Sequence, residues 1–433
     1  MESTSSDKKH FEAKGWLKLD NCAKLFPAIT NGELTSVFRI TVHLKKPVRY
    51  SALKKATEVT AARYPYFSVS LGSGLFWHFL SFIGKPPRIH TEEEVPCTAF
   101  AVRKSKEPLY RILAKENRIS VEFIHILTDG TGALELLKTL LFVYFGLTGN
   151  EIVNTEGIIL PDSEPDPEEL EDGYNRFFKK VPSPPKQTRA WHLPFTLNEK
   201  PRLKILRAVL PAGNILEAAR KHKVSVTEYL ASVFLFALHN IYIEEKSKKR
   251  QRHSVLRIEV PVNLRNKFPS RTLRNFSLFV MPEIDLRLGT YTFDEIVKVV
   301  HHKLQMGSET KQISRFLSSN VSHERSLFIR VLPLFIKKLA IASIYKSIGS
   351  KQCSGIITNL GITRLPVEMS ELTESIEIIP PPPNKKVKVS CGVVTYNDKM
   401  MMCFANISKS RELERNVLNF LSSAGINVRI LKS

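Results

Sequence analysis

Residues 118–140 read RISVEFIHILTDGTGALELLKTL, and this stretch decides the architecture. Ile119, Val121, Phe123 and His125 alternate with Ser120, Glu122, Ile124 and Ile126, the period-two pattern of a strand. The alternation ends at Thr128-Asp129-Gly130-Thr131-Gly132, and 133–145 then reads as a largely apolar helix. His125 therefore closes a strand, and Asp129 stands four residues later in the turn that opens the helix, in the pattern HxxxDG.

Working outward, 16–29 and 37–44 carry enough apolar residues to join a core, and 49–64 is helical, with Leu53, Ala56, Val59 and Ala62 at three-residue steps along one side. Between 150 and 193 the text changes to PDSEPDPEELED and then VPSPPKQ, where proline and clustered like charge work against packed structure. Beyond this linker, 215–221 and 226–243 predict helices, 256–262 and 276–284 strands, and 293–306 another helix. Residues 387–395 and 400–407 pair as a hairpin across Asn397-Asp398, 411–424 form a closing helix, and the four prolines at 380–383 mark a stiff loop. A chain of 433 residues, 43% hydrophobic, has material for two cores. The expected organisation is a first lobe over 14–150, a linker over 151–193 and a second lobe over 194–433.

The formal charge is +22, from 64 Lys and Arg against 42 Asp and Glu, and it is unevenly placed. Residues 201–433 hold 37 basic and 18 acidic residues, or +19, leaving +3 for residues 1–200. Such a field attracts phosphates of a nucleotide cofactor, an acidic carrier protein or an anionic membrane surface. The run KSKKRQR at 246–252 is too isolated to indicate a nucleic-acid binder, and none is expected. Residues 325–346 (RSLFIRVLPLFIKKLAIASIYK) are apolar with basic interruptions, a pattern that suits a helix on a membrane or beside an acyl channel; a buried helix with a basic rim is the reading taken. The five cysteines are scattered with no CxxC pair, so neither a disulfide framework nor a zinc site is expected. No stretch has the eighteen or so uninterrupted apolar residues of a membrane span, and the start lacks a signal-peptide core, so a cytoplasmic monomer is expected.

Several chemistries lack the residues they need. There is no GxSxG elbow, HExxH helix, Walker loop or glycine-rich dinucleotide turn. What remains is His125, read either as a general base or as a core histidine beside an Asp129 that merely caps the following helix. A neutral imidazole in a partly apolar setting can take a proton from an alcohol or amine as that group attacks a thioester. A carboxylate at position 129 can pair with an arginine and accept local N–H groups, holding the turn, while Gly130 leaves room for a substrate. Ser277, Thr358 and Asn359 are candidates to stabilise the oxyanion.

These residues resemble the superfamily of CoA-dependent acyltransferases that includes chloramphenicol acetyltransferase, the plant BAHD enzymes, condensation domains and bacterial alcohol acetyltransferase-like proteins. GWLKLDNCAKLFPAI at 15–29, ARYPYF at 62–67, GLFWHF at 74–79 and the stretch at 118–140 are similar to the last group. PVNLR at 261–265, RNFSLFVMPEID at 274–285 and TNLG at 358–361 look like its second-lobe elements. The resemblance implies an α/β fold of two lobes, each a mixed sheet flanked by helices, with an active-site channel between them. It implies His125 as general base and Arg265 of PVNLR as the partner of a structural Asp129. It also implies acyl-CoA, or an acidic acyl-carrier protein, as donor, with no permanently bound cofactor and no metal. Two departures matter: Ile124 stands where condensation domains carry a second histidine, and the DFGWG element of the plant enzymes has no counterpart. The first favours simple transfer to a small alcohol or amine over peptide-bond formation. A non-catalytic scaffold that binds an acidic carrier or an anionic surface is the alternative.

Overall fold

The computed structural model describes residues 15–100, 107–245, 247, 253–347 and 349–431. The basic run at 246–252, Ser247 apart, lies outside them.

Strand and helix follow the sequence pattern around the decisive stretch. Arg118–Ile124 is a strand and Gly130–Leu147 a helix, with His125 to Asp129 as the corner between them. That strand pairs antiparallel with Val37–Leu44 on one side and Tyr110–Lys115 on the other; Ile89–Thr91 adds parallel at the edge. Helices Tyr50–Arg63 and Gly130–Leu147 cover this sheet, burying Leu53, Ala56, Leu136 and Leu140 against Val121 and Phe123. Ser120 and Glu122, on the polar phase of the alternation, are buried as well. Glu122 accepts from Arg39 Nε at 2.8 Å, Arg111 Nε at 2.7 Å and the Cys97 N–H at 2.7 Å, so the opposite face buries compensated charge instead of meeting water.

The second half of the chain builds a larger mixed sheet. Its order is Ser277–Val280, Val255–Asn263, Gly355–Thr363, Val389–Tyr396, Lys399–Asn406, Lys204–Pro211 and Arg429–Leu431, with Glu283–Asp285 also on Val255–Asn263. Helices Ala212–Lys221, Val226–Glu244, Phe293–Gly307 and Glu412–Ser423 pack on it around a second core that includes Phe234, Ile258, Val393 and Phe404. The molecule is thus mixed α/β, with sheets flanked by helices. Three helix starts follow directly from sequence: Asp129 caps Gly130–Leu147, and Ser225 with Glu228 and Thr292 with Glu295 form capping boxes.

Four expectations are corrected. The strand expected over 276–284 is two, Ser277–Val280 and Glu283–Asp285, because Pro282 has no N–H to offer the ladder. Strand Thr373–Ile379, drawn from the stretch assigned to the second lobe, pairs antiparallel with Val37–Leu44 and completes the first sheet. The segment 151–193 is not free of packing: Tyr174 and Trp191 are buried, and Glu169 takes a bidentate bond from Arg63 at 2.6 and 3.0 Å. A proline-rich chain has little entropy left to lose when specific bonds dock it. Residues 325–346 form two helices, Leu327–Val331 and Leu334–Ser347, broken before Pro333, and much of their apolar surface faces outward instead of inward.

Among the described residues two helices, Gly130–Leu147 and Val226–Glu244, are long and apolar enough to cross a membrane, and both are mostly buried in the protein. All five cysteines are unpaired thiols.

Candidate active site

His125 follows the last residue of its strand, and its backbone N–H donates to the Ser36 carbonyl at 2.9 Å. The ring stands between two aromatic rings, Phe38 at 4.6 Å and Phe26 at 5.4 Å between centroids, the latter nearly parallel to it. Nδ1 lies 3.2 Å from the Thr128 carbonyl, which can only accept, so Nδ1 carries the proton and Nε2 keeps its lone pair. Burial lowers the imidazole pKa below its ordinary value, outweighing the opposing pull of Asp129. The ring is neutral near pH 7, with a defined tautomer.

Asp129 does not reach the ring through any hydrogen bond; it holds the corner on which the ring stands. Oδ1 accepts from the N–H groups of Thr131 and Gly132 at 3.1 and 3.3 Å, the cap of the helix. Oδ2 accepts from Arg265 Nη1 at 2.9 Å and from the Phe276 N–H at 2.8 Å. Arg265 sits in a short 3₁₀ turn, Leu264–Asn266, just past the end of its strand. Its guanidinium also donates to the Thr272 carbonyl at 2.6 Å, the Asn263 side chain at 3.1 Å and the Arg274 carbonyl. Position 265 thus clamps the 272–276 segment of the second half onto the HxxxDG corner of the first.

Close approach crowds Gly130 and requires glycine at 132, in a way the sequence did not disclose. A Cβ on Gly130 would stand 2.5 Å from Leu360 Cδ2, so the room left there is filled by a side chain of strand Gly355–Thr363 and is not the open substrate clearance expected. At Gly132 a Cβ would lie 2.0 Å from the Leu273 carbonyl oxygen and 2.3 Å from Thr128 Oγ1.

The three oxyanion candidates fare differently. Ser277 begins its strand, and its N–H and carbonyl are both bonded to the Tyr174 hydroxyl, at 3.0 and 2.6 Å. Asn359 uses its amide to tie its own strand down, with Nδ2 donating to Thr227 Oγ1 at 3.1 Å and Oδ1 accepting from the Gly361 N–H at 2.9 Å. Thr358 lies opposite Gly392 in the ladder.

Four residues that the sequence reading did not single out complete the site. Asn275 Nδ2 donates to the His125 carbonyl at 2.9 Å and to Asp20 Oδ2 at 3.1 Å. Asp20, fully buried, also accepts from the Ala23 N–H at 2.7 Å, and burial raises its carboxyl to about 6. Thr128 Oγ1 donates to the Leu273 carbonyl at 2.5 Å, and Phe26 supplies one wall of the imidazole. The run GWLKLD and the run RNF each contain one of these partners, but no spacing rule joins positions 20 and 275. Cys22 lies under the same corner, and burial, reinforced by Asp20 and Asp129, pushes its thiol up, so it stays protonated and is a poor nucleophile. Among the described residues no cluster of His, Cys, Asp or Glu could hold a metal ion.

Phe26 belongs to the short helix Phe26–Ile29, and its continuation forms one wall of a cleft of about 1170 Å³. Ala28, Ile29 and Thr35 line that wall, the last adjacent to the Ser36 carbonyl that holds His125. Six cations line the cleft, Lys200, Arg202, Lys346, Lys351, Lys385 and Lys386, against one carboxylate, Glu33. Lys385, Lys200 and Arg202 all pair with Glu33, at 2.9, 3.2 and 3.3 Å, and these contacts, led by Lys385, hold its carboxyl at about 2.

No protein-family model matches this chain, and no curated protein matches it in sequence. Solved structures do. The first condensation domain of the calcium-dependent antibiotic synthetase is similar over 97% of this chain and 100% of its own, with a TM-score of 0.60 at 12% identity. The trichothecene 15-O-acetyltransferase of Fusarium sporotrichioides is similar over 94% of both chains, with a TM-score of 0.60 at 10% identity. Polyketide synthase associated protein 5 of Mycobacterium tuberculosis covers 94% of this chain and 97% of its own, with a TM-score of 0.57 at 13% identity. The chain has the condensation-domain and CoA-acyltransferase type of fold, over essentially its whole length.

Proposed function

We propose that this protein transfers an acyl group from an acyl thioester, acyl-CoA or acyl-carrier protein, to an alcohol or amine, with His125 as the general base. The observation that carries the reading is the state of the imidazole: Nδ1 is committed to the Thr128 carbonyl and burial keeps the ring neutral, so Nε2 is a proton acceptor at neutral pH. In the step proposed, Nε2 takes the proton of the acceptor O–H or N–H as the heteroatom attacks the thioester carbon. The oxyanion then collapses, the C–S bond breaks, and the leaving thiolate recovers the proton from the imidazolium. Both substrates are present together and no acyl-enzyme forms, in keeping with the raised Cys22 thiol. The cationic cleft beside the Phe26 wall suits the phosphates of CoA or a phosphopantetheine arm.

Mass spectrometry of the purified protein with acetyl-CoA and longer acyl-CoA species and a panel of alcohols and amines tests this. Acylated product is expected, and His125→Ala should lower its rate by about 10²–10⁴-fold with an unchanged unfolding midpoint. Near-normal turnover by the folded variant would remove His125 from the chemistry. Absence of product across the panel would favour the non-catalytic scaffold.

A further inference from the structure

Helices Leu327–Val331 and Leu334–Ser347 leave an apolar surface uncovered. Leu327, Phe328, Val331, Phe335 and Leu339 are 76, 72, 66, 66 and 70% exposed; Phe328 and Val331 lie one turn apart on the first helix, and Phe335 and Leu339 one turn apart on the second. The turn at 74–77 extends this surface. Its Leu75 carbonyl accepts the Leu334 N–H at 2.8 Å and its Phe76 carbonyl accepts Lys337 Nζ at 2.9 Å, while the same ammonium lies 3.6 Å over the Trp77 ring. Lys337 thereby fixes the turn beside the helix, and Leu75 stands 71% exposed next to it. Isolated exposed apolar residues are ordinary; a contiguous set carried on two helices and a pinned turn marks a contact surface.

The charge around this surface selects its occupant. From 325 to 347 the chain carries Arg325, Arg330, Lys338 and Lys346, besides the buried Lys337 that holds the turn, and no Asp or Glu. Glu324, just outside, is paired with Lys24. A second copy of this chain would bring the same cations and a further formal charge of +22 to the contact, so self-association works against repulsion. A bilayer with anionic headgroups offers what the surface lacks: hydrocarbon for the leucine and phenylalanine side chains and phosphate or carboxylate for the arginines and lysines.

We infer that the 327–339 helices and the 74–77 turn dock this protein onto the surface of an anionic lipid bilayer. Helix Leu334–Ser347 also lends Ala342 and Tyr345 to the cleft beside the candidate site, so docking sets the cleft one helix away from the lipid. The surface does not depend on the chemistry at His125, and the two readings fail separately: acylation of soluble acceptors is assayed without lipid.

The test is cosedimentation of the full chain with vesicles of phosphatidylcholine alone and of phosphatidylcholine with phosphatidylserine. Binding to the anionic vesicles is expected to exceed binding to the neutral ones by at least about tenfold, and to weaken with added salt. The triple variant Phe328→Glu, Phe335→Glu, Leu339→Glu, altered only at exposed positions, should bind at least about a hundredfold more weakly with an unchanged circular dichroism spectrum. Wild-type protein left in the supernatant with both vesicles overturns the inference. So does equal binding by the triple variant, which would make the contact diffuse charge attraction. Sedimentation velocity without lipid supplies the third arm: a concentration-dependent dimer abolished by the triple variant would assign the surface to a second copy of the chain.

Discussion

Asp129 and Arg265 join the two halves of the chain at the candidate base, and their coupling can be measured. Asp129→Asn keeps an oxygen for the helix cap but places an amide where Oδ2 now accepts from both Arg265 Nη1 and the Phe276 N–H. Two charge-assisted bonds at about 1.5–3 kcal/mol each are lost or inverted, so a destabilisation of about 3–5 kcal/mol is expected. Arg265→Ala leaves Asp129 with three backbone N–H donors and Asn263 Oδ1 with the N–H of residue 265, yet strands the Thr272 and Arg274 carbonyls, a loss of about 2–4 kcal/mol. The only term common to both variants is the single 2.9 Å contact between the two side chains. The double variant should therefore lose less than the sum by about 1.5–3 kcal/mol, and not by more, because the carbonyl contacts of Arg265 are lost regardless of residue 129. Urea unfolding of the four proteins gives the cycle, provided the m values agree. A coupling within about 0.5 kcal/mol of zero would refute the argument, leaving Asp129 as a helix cap and Arg265 as a staple for the 272–276 segment.

Gly132→Ala should destabilise by about 1–3 kcal/mol or more, since its new methyl meets the Leu273 carbonyl oxygen, whereas Gly146→Ala, with no atom within 4 Å of its Cβ position, should be neutral or stabilising by up to about 1 kcal/mol; thermal melts of the pair check this. Because His125 is neutral down to below its ordinary pKa, kcat/KM for acyl transfer should stay level on the acidic side until the pH falls below about 6.5, and a fall that begins at higher pH would contradict the buried, lowered imidazole. Burial alone would raise Glu377, but His43 and Arg207 hold it at about 2, so its contribution to stability is complete above pH 4.5 and is lost as pH falls toward 2; Glu377→Gln should flatten that acid limb of the unfolding midpoint.

The corner at 125–132 was legible because it is local: alternation, a turn run and a helix cap all lie within fifteen residues. Arg265 was reachable only through resemblance, since nothing in PVNLR by itself points to residue 129. Asn275 and Asp20 were not legible, because their roles arise where chain segments 255 residues apart meet. The charges on the sheet face, buried Arg39 and Glu122 and half-buried Arg111, escaped for a related reason. Alternation marks them as outward-facing, and only the placement of other segments over that face turns outward into interior. The surface at 327–339 was read as buried because an apolar helix is ordinarily covered, and periodicity carries no information about whether a partner exists.

Strand Thr373–Ile379 has a consequence for the order in which this molecule is made. The first sheet holds residues 37–44, 89–91, 110–115 and 118–124, all synthesised early, but its remaining edge comes from Thr373–Ile379, more than 300 residues downstream of the Val37–Leu44 strand it pairs with. During translation the Val37–Leu44 edge therefore waits with its backbone donors and acceptors unpaired, while most of the second half is still being added. An open apolar edge of that length is a template for misplaced strands. Co-translational folding of the amino-terminal half must stop short of completion, and a ribosome stalled before Thr373 would release a chain with a sticky sheet that no local rearrangement can close.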